Sequence, residues 1–142
     1  MLTGNRTVLN VLLYGFVVLD LVYAVTCFFF PEVWFQTLHG ADYVDPQGLL
    51  RRTGALWAAF ALFQLVAALR WSSAPYWLAV VAGMRLSELF ADWTYLYFAG
   101  SVTGLGRLGL LLSTPFNLLV CLYLLGSYLK LRPPAAGTPN PP

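Results

Sequence analysis

The sequence predicts an all-α protein: an integral-membrane four-helix bundle with antiparallel neighbours and a short interfacial helix in loop one. Three observations predict it. Of the 142 residues, 59% are hydrophobic and only 10% are charged, whereas a soluble domain is about a quarter charged. Mean hydropathy is +0.70, and a chain this short cannot hide so much apolar surface in a core of its own. The apolar residues also fall into four runs, each close to the roughly 20 residues that a helix needs to cross the hydrocarbon layer.

Residues 1–132 are therefore expected to form one membrane domain, with spans at about 7–30, 51–69, 76–98 and 108–131. The first span is broken only by Asn10 and Asp20. It is longer than the apolar core of a signal peptide and lacks a small-x-small cleavage pattern before Pro31, so it reads as a retained helix. Pro31 to Gly48 is the longest connection. Within it Trp34, Phe35 and Leu38 form one apolar face of a short helix lying on the membrane, and Asp45-Pro46 marks a turn.

The second span carries Gln64 as its one strongly polar residue. The third carries Arg85, Glu88 and Asp92, and the fourth carries Ser113, Thr114, Pro115 and Asn117. Pro115 has no amide hydrogen, which frees the carbonyl of Leu111 and predicts a kink. The short second and third loops make successive helices antiparallel neighbours. Gly54/Ala58, Ala55/Ala59 and Ala79/Gly83 are small-xxx-small pairs of the kind that lets membrane helices approach closely. Residues 133–142 hold five of the nine prolines and are expected to be a disordered or extended tail.

Aromatic residues gather near the span ends: Trp34, Phe35, Trp71, Tyr76, Trp77, Tyr95, Tyr97 and Tyr128. Such belts anchor spans at headgroup level. With the N-terminus inside, Arg6, Arg70, Lys130 and Arg132 face the cytoplasm, and Arg51, Arg52 and Arg107 face outward. Four against three places both termini in the cytoplasm.

Composition also excludes several functions. A net charge of +2, with no basic face and no recognition motif, argues against nucleic acid as a partner. The single histidine, His39, lies in a loop, so neither haem held between membrane histidines nor a histidine-rich metal site is expected. No cofactor is expected either. Cys27 and Cys121 sit inside apolar runs and read as small buried hydrophobes.

The candidate site is a set of polar residues at mid-membrane: Asp20, Gln64, Arg85, Glu88, Asp92 and Asn117. An ionisable side chain at the bilayer centre costs about 2.5–3.5 kcal/mol on insertion scales, so it faces the protein interior. Arg85, Glu88 and Asp92 at i, i+3 and i+7 fall within about 60° of arc on one helix face. Asp20, Arg85, Glu88 and Asn117 are expected to share one layer, with Gln64 somewhat off it. Arg85 can pair with Glu88 along the helix. Three carboxyls then stand against one guanidinium, which calls for a proton, a cation, a cationic ligand, water, or Arg51 or Arg52 leaning in from the membrane edge; the same residues can also form a purely structural salt-bridge network that fixes helix register.

The expected function is a binding module for a lipid or other hydrophobic small molecule, its polar group oriented by these residues. Two alternatives stand beside it. One is an accessory structural subunit of a larger membrane complex. The other is a membrane enzyme that uses Glu88 or Asp92 as a general acid or base, which leaves catalysis an open question. Transport through so few helices would require a homo-oligomer.

Phe28-Phe29-Phe30-Pro31 followed by Trp34, then Arg51-Arg52-Thr53-Gly54, then Arg85 with acidic residues after it, resemble a group of small, uncharacterised four-helix proteins of the bacterial inner membrane. That resemblance covers most of residues 7–130 and implies architecture and location. Asp20-Leu21 and Pro115-Phe116-Asn117-Leu118 are more weakly similar to the emopamil-binding, sterol isomerase-like four-helix family. In that family membrane carboxylates face a cavity for a cationic or sterol-like ligand. This chain differs in having no membrane histidine and in having Gln64 where the second helix would carry an acid.

Overall fold

The computed structural model describes residues 6–132, in which every regular element is a helix. The proline-rich tail expected over 133–142 lies outside the described residues. Five helices follow in order: α1 Arg6–Phe29, α2 Pro31–His39, α3 Leu49–Arg70, α4 Tyr76–Phe98 and α5 Gly104–Leu131. The two inner spans begin or end within two residues of their expected limits. α5 starts four residues earlier than 108, because Thr103 accepts a hydrogen bond from the Gly106 amide at 3.1 Å and caps the first turn.

α1, α3 and α5 are long and apolar enough to cross a membrane. α4 is as long as α3 within one residue, but it carries three charges in its central turns. Large apolar side chains point outward along all four long helices, among them Val11, Val22, Leu62, Leu69, Phe90, Leu112 and Leu119. Soluble monomers rarely present contiguous surfaces of that kind.

Packing is unequal. α1 lies against α3 and α4 against α5 over most of their lengths, whereas α3 meets α4 over a short stretch. The α1–α3 pair is antiparallel, since the start of α3 touches the end of α1 and Trp71 donates to Asn10 near the start of α1 at 2.9 Å. Gly54 makes the close approach possible. A Cβ there would sit 3.0 Å from the Ala24 carbonyl oxygen and the Phe28 amide nitrogen. The two pairs share one apolar core built from Leu9, Leu13 and Phe16, Ala67 and Trp71, Leu78 and Val81, and Val120 and Leu124.

The short helix expected in the first loop is α2. Pro31 starts it, where a missing amide hydrogen costs nothing. Gly40 ends it with φ +65°, a left-handed cap that favours glycine. α2 is tied to the α4–α5 loop. The Thr103 amide donates to the Leu38 carbonyl at 2.8 Å, and the Thr103 hydroxyl donates to the Thr37 carbonyl at 2.9 Å. His39, expected in a loop, is the last residue of α2. It is bonded to the Ser101 carbonyl through Nδ1 at 2.8 Å and to the Tyr95 hydroxyl.

At the start of α3 the Asp45 carboxylate accepts from the Leu50 amide and the Tyr43 hydroxyl, each at 2.8 Å. The amides of Leu50 and Leu49 hold its carboxyl below the usual aspartate range. A depressed carboxyl stabilises the fold above its unfolded pKa, about 3.9, and that contribution disappears as pH falls through the lower folded value. Asp45→Ala is therefore expected to speed amide exchange at Leu49 and Leu50 at neutral pH. The difference from the parent should vanish well below pH 4. A persistent difference there would show that the carboxylate is not the cap.

Candidate functional site

Three of the long helices each supply one member of a buried polar group. Asp20 of α1, Gln64 of α3 and Arg85 of α4 are 1%, 0% and 3% exposed. Arg85 Nη2 donates to Asp20 Oδ2 at 2.7 Å, and Gln64 Nε2 donates to the same oxygen at 2.5 Å. Charge-assisted bonds of this length are among the strongest in proteins. The Arg85 guanidinium also lies over the Phe16 ring, 4.6 Å from its centroid, a favourable cation–π position.

This arrangement differs from the sequence reading in two ways. Arg85 pairs across the fold with Asp20 rather than along its own helix with Glu88. Gln64 belongs inside the layer and not beside it, because the close α1–α3 approach brings its amide onto Asp20. The first difference follows from helix phase. The helix phase that buries Arg85 between Leu78, Val81, Ala82 and Leu89 turns Glu88 a further step round, where it is only half-buried.

Two atoms of the group lack a partner: Gln64 Oε1 and Arg85 Nε are buried without a hydrogen bond. Leaving such groups unsatisfied costs about 1–3 kcal/mol each. One is an acceptor and the other a donor, and both side chains are anchored on the same carboxylate oxygen.

Glu88 and Asp92 are half-buried on the same face of α4. Glu88 meets the Trp57 side chain. Asp92 accepts from the Ser113 hydroxyl of α5. Asn117, the remaining predicted site residue, is buried in α5, but among the described residues it shares no hydrogen bond with Asp20, Gln64 or Arg85. Thr114 donates to the Leu110 carbonyl at 2.9 Å, one turn before Pro115, and does not reach Arg85.

Span and belt patterns do not single out Tyr23 and Trp57, and they place Trp34 in an interfacial belt. These rings form a three-way cluster from α1, α2 and α3. Centroid separations are 5.2 Å for Tyr23–Trp34, 5.1 Å for Tyr23–Trp57 and 5.5 Å for Trp34–Trp57. Tyr23 lies within electrostatic range of Asp20, Arg85, Glu88 and Asp92 and Trp57 meets Glu88, so two of the three rings border the polar residues. A signal existed: Tyr23 is one turn from Asp20 and Trp57 is two turns from Gln64.

Two open hollows of about 480 and 580 Å³ lie elsewhere, on the outer face of the last turns of α4 among Phe90, Thr94, Tyr95, Tyr97 and Phe98. They contain none of the predicted site residues. Cys27 and Cys121 are buried free thiols on α1 and α5. Compared with known protein families, with curated proteins and with solved structures, the chain matches none.

Proposed function

We propose that the chain is a multi-pass protein of the bacterial inner membrane that binds a lipid or other hydrophobic small molecule at the seam between its two helix pairs. In this reading α4 crosses the bilayer with α1, α3 and α5, and the four make one bundle. Its charges are tolerable there because Arg85 is paired and Glu88 and Asp92 face other helices. Both termini lie in the cytoplasm, where four of the cations gather.

The observation that carries the reading is the pair of unsatisfied atoms, Gln64 Oε1 and Arg85 Nε, beside half-buried Glu88 and Asp92. Asp20, Gln64 and Arg85 bind one another tightly and serve as the floor of the site. A ligand hydroxyl or amide donates to Gln64 Oε1 and accepts from Arg85 Nε. The apolar body lies against Tyr23, Trp34 and Trp57. The short contact between α3 and α4 leaves this seam the easiest part of the fold to open sideways into lipid.

Native mass spectrometry of protein extracted in a mild detergent tests this. A reproducible small-molecule adduct is expected on the parent, lost in Gln64→Leu and weakened in Glu88→Gln. A bare parent protomer, or an adduct indifferent to both changes, would refute the proposal.

One observation favours a second reading, an accessory subunit of a larger membrane complex. Phe90, Trp93, Tyr97 and Phe98 form an outward face on α4 and are 58%, 57%, 83% and 76% exposed. Co-elution with larger subunits in stoichiometric amounts, and no adduct, is the result that reading requires.

A further inference from the structure

The fold sorts the charges into three zones, two of them the ends that the span order already separates. α1 begins, α3 ends, α4 begins and α5 ends at one end of the molecule. The Trp71–Asn10 hydrogen bond and the shared packing of Leu9, Leu78 and Leu124 hold that end together. It carries Arg6, Arg70, Lys130 and Arg132, all exposed, and no acidic residue. The opposite end carries Arg51, Arg52 and Arg107 against Glu32, Asp42 and Asp45, so it is formally neutral. The middle holds Arg85 against Asp20, Glu88 and Asp92. All of the chain's excess positive charge, and more, therefore stands at one end.

We propose that this end binds the headgroups of anionic phospholipids, with Arg6, Arg70 and Arg132 contacting the phosphates. Arg6 opens α1, Arg70 closes α3 and Arg132 follows the last turn of α5, so the three come from separate parts of the fold. A guanidinium fork matches two phosphate oxygens. Tyr76, Trp77 and Tyr128 lie at the same level, with Trp77 and Tyr128 packed on the core, and amphipathic rings of this kind sit at headgroup depth. Among the described residues no aspartate or glutamate at this end competes for the arginines. A zwitterionic headgroup brings its own cation beside the phosphate and meets repulsion from the arginines. An anionic headgroup does not. The inference requires the chain to lie in a bilayer but is independent of what the seam binds.

The test uses the full chain in detergent micelles doped with equal amounts of phosphatidylglycerol and phosphatidylcholine, with bound lipids counted by native mass spectrometry. The parent is expected to retain phosphatidylglycerol preferentially. Each arginine replaced among Arg6→Gln, Arg70→Gln and Arg132→Gln is expected to lower that retention about fivefold at low salt, with the preference fading as salt is raised. The control is Arg51→Gln/Arg52→Gln/Arg107→Gln, which removes the same charge from the other end and is expected to keep the preference. Equal retention of both lipids by the parent, or equal loss in the control, would overturn the proposal. So would tight binding of inorganic phosphate to the same arginines in the absence of lipid.

Discussion

Arg85→Ala is expected to destabilise the fold by about 3–5 kcal/mol, the cost of stranding a buried charge. The Asp20 carboxylate would lose its 2.7 Å partner while remaining inaccessible to solvent, and the ring of Phe16 would lose the cation above it. Unfolding of the purified protein in detergent measures the loss. The pair itself is a weaker contributor than that figure suggests, because its attraction is offset by the desolvation of both ions. Asp20→Leu/Arg85→Met is therefore expected to recover most of the stability lost in Arg85→Ala. If the double variant is as unstable as the single one, the ion pair is a net source of stability and the desolvation argument fails here. If Arg85→Ala costs less than about 1 kcal/mol, water reaches Asp20 and the layer is not closed.

The second large effect is expected at Gly54. In Gly54→Leu the added Cβ meets backbone atoms of α1 at 3.0 Å, and backbone cannot rotate away as a side-chain tip can. α1 and α3 must separate along their whole contact. Overpacking of a core usually costs about 1–3 kcal/mol, and here the cost is expected at or above the top of that range. The separation also pulls Gln64 from Asp20, so adduct binding at the seam should fall with stability. Gly83→Ala is the matched control, because a Cβ there meets nothing within 4 Å. It is expected to be neutral or to stabilise by up to about 1 kcal/mol through helix propensity. A destabilising Gly83→Ala would reveal a contact made by another copy or another chain. A neutral Gly54→Leu would refute the close α1–α3 crossing.

These two glycines show what a linear pattern conveys and what it omits. Gly54/Ala58, Ala55/Ala59 and Ala79/Gly83 look alike as small-xxx-small pairs. Yet Gly54 alone among them is buried, and Ala58, Ala55 and Gly83 are exposed. A small residue permits close approach, but only a second helix at the right azimuth makes use of it. The polar residues behave in the same way. That Asp20, Gln64 and Arg85 face inward was legible, because exposing them to lipid is costly. Their partners were not. Arg85 had an acceptor one turn along its own helix and another on a different helix, and the choice between them depends on rotation about the helix axis.

The sequence carries the number and approximate limits of the four long helices and the apolar character of α1, α3 and α5. It also determined the short helix that Pro31 opens and the residues able to form a buried polar layer. Those follow from local composition, since run length, proline and glycine act over one or two turns. The pairing of α1 with α3 and of α4 with α5 emerges only in the folded chain. So do the cluster of Tyr23, Trp34 and Trp57 and the place of Gln64 beside the Asp20–Arg85 pair. Each of these depends on the relative rotation and depth of helices far apart in the chain, which side-chain packing sets and hydrophobic periodicity leaves open.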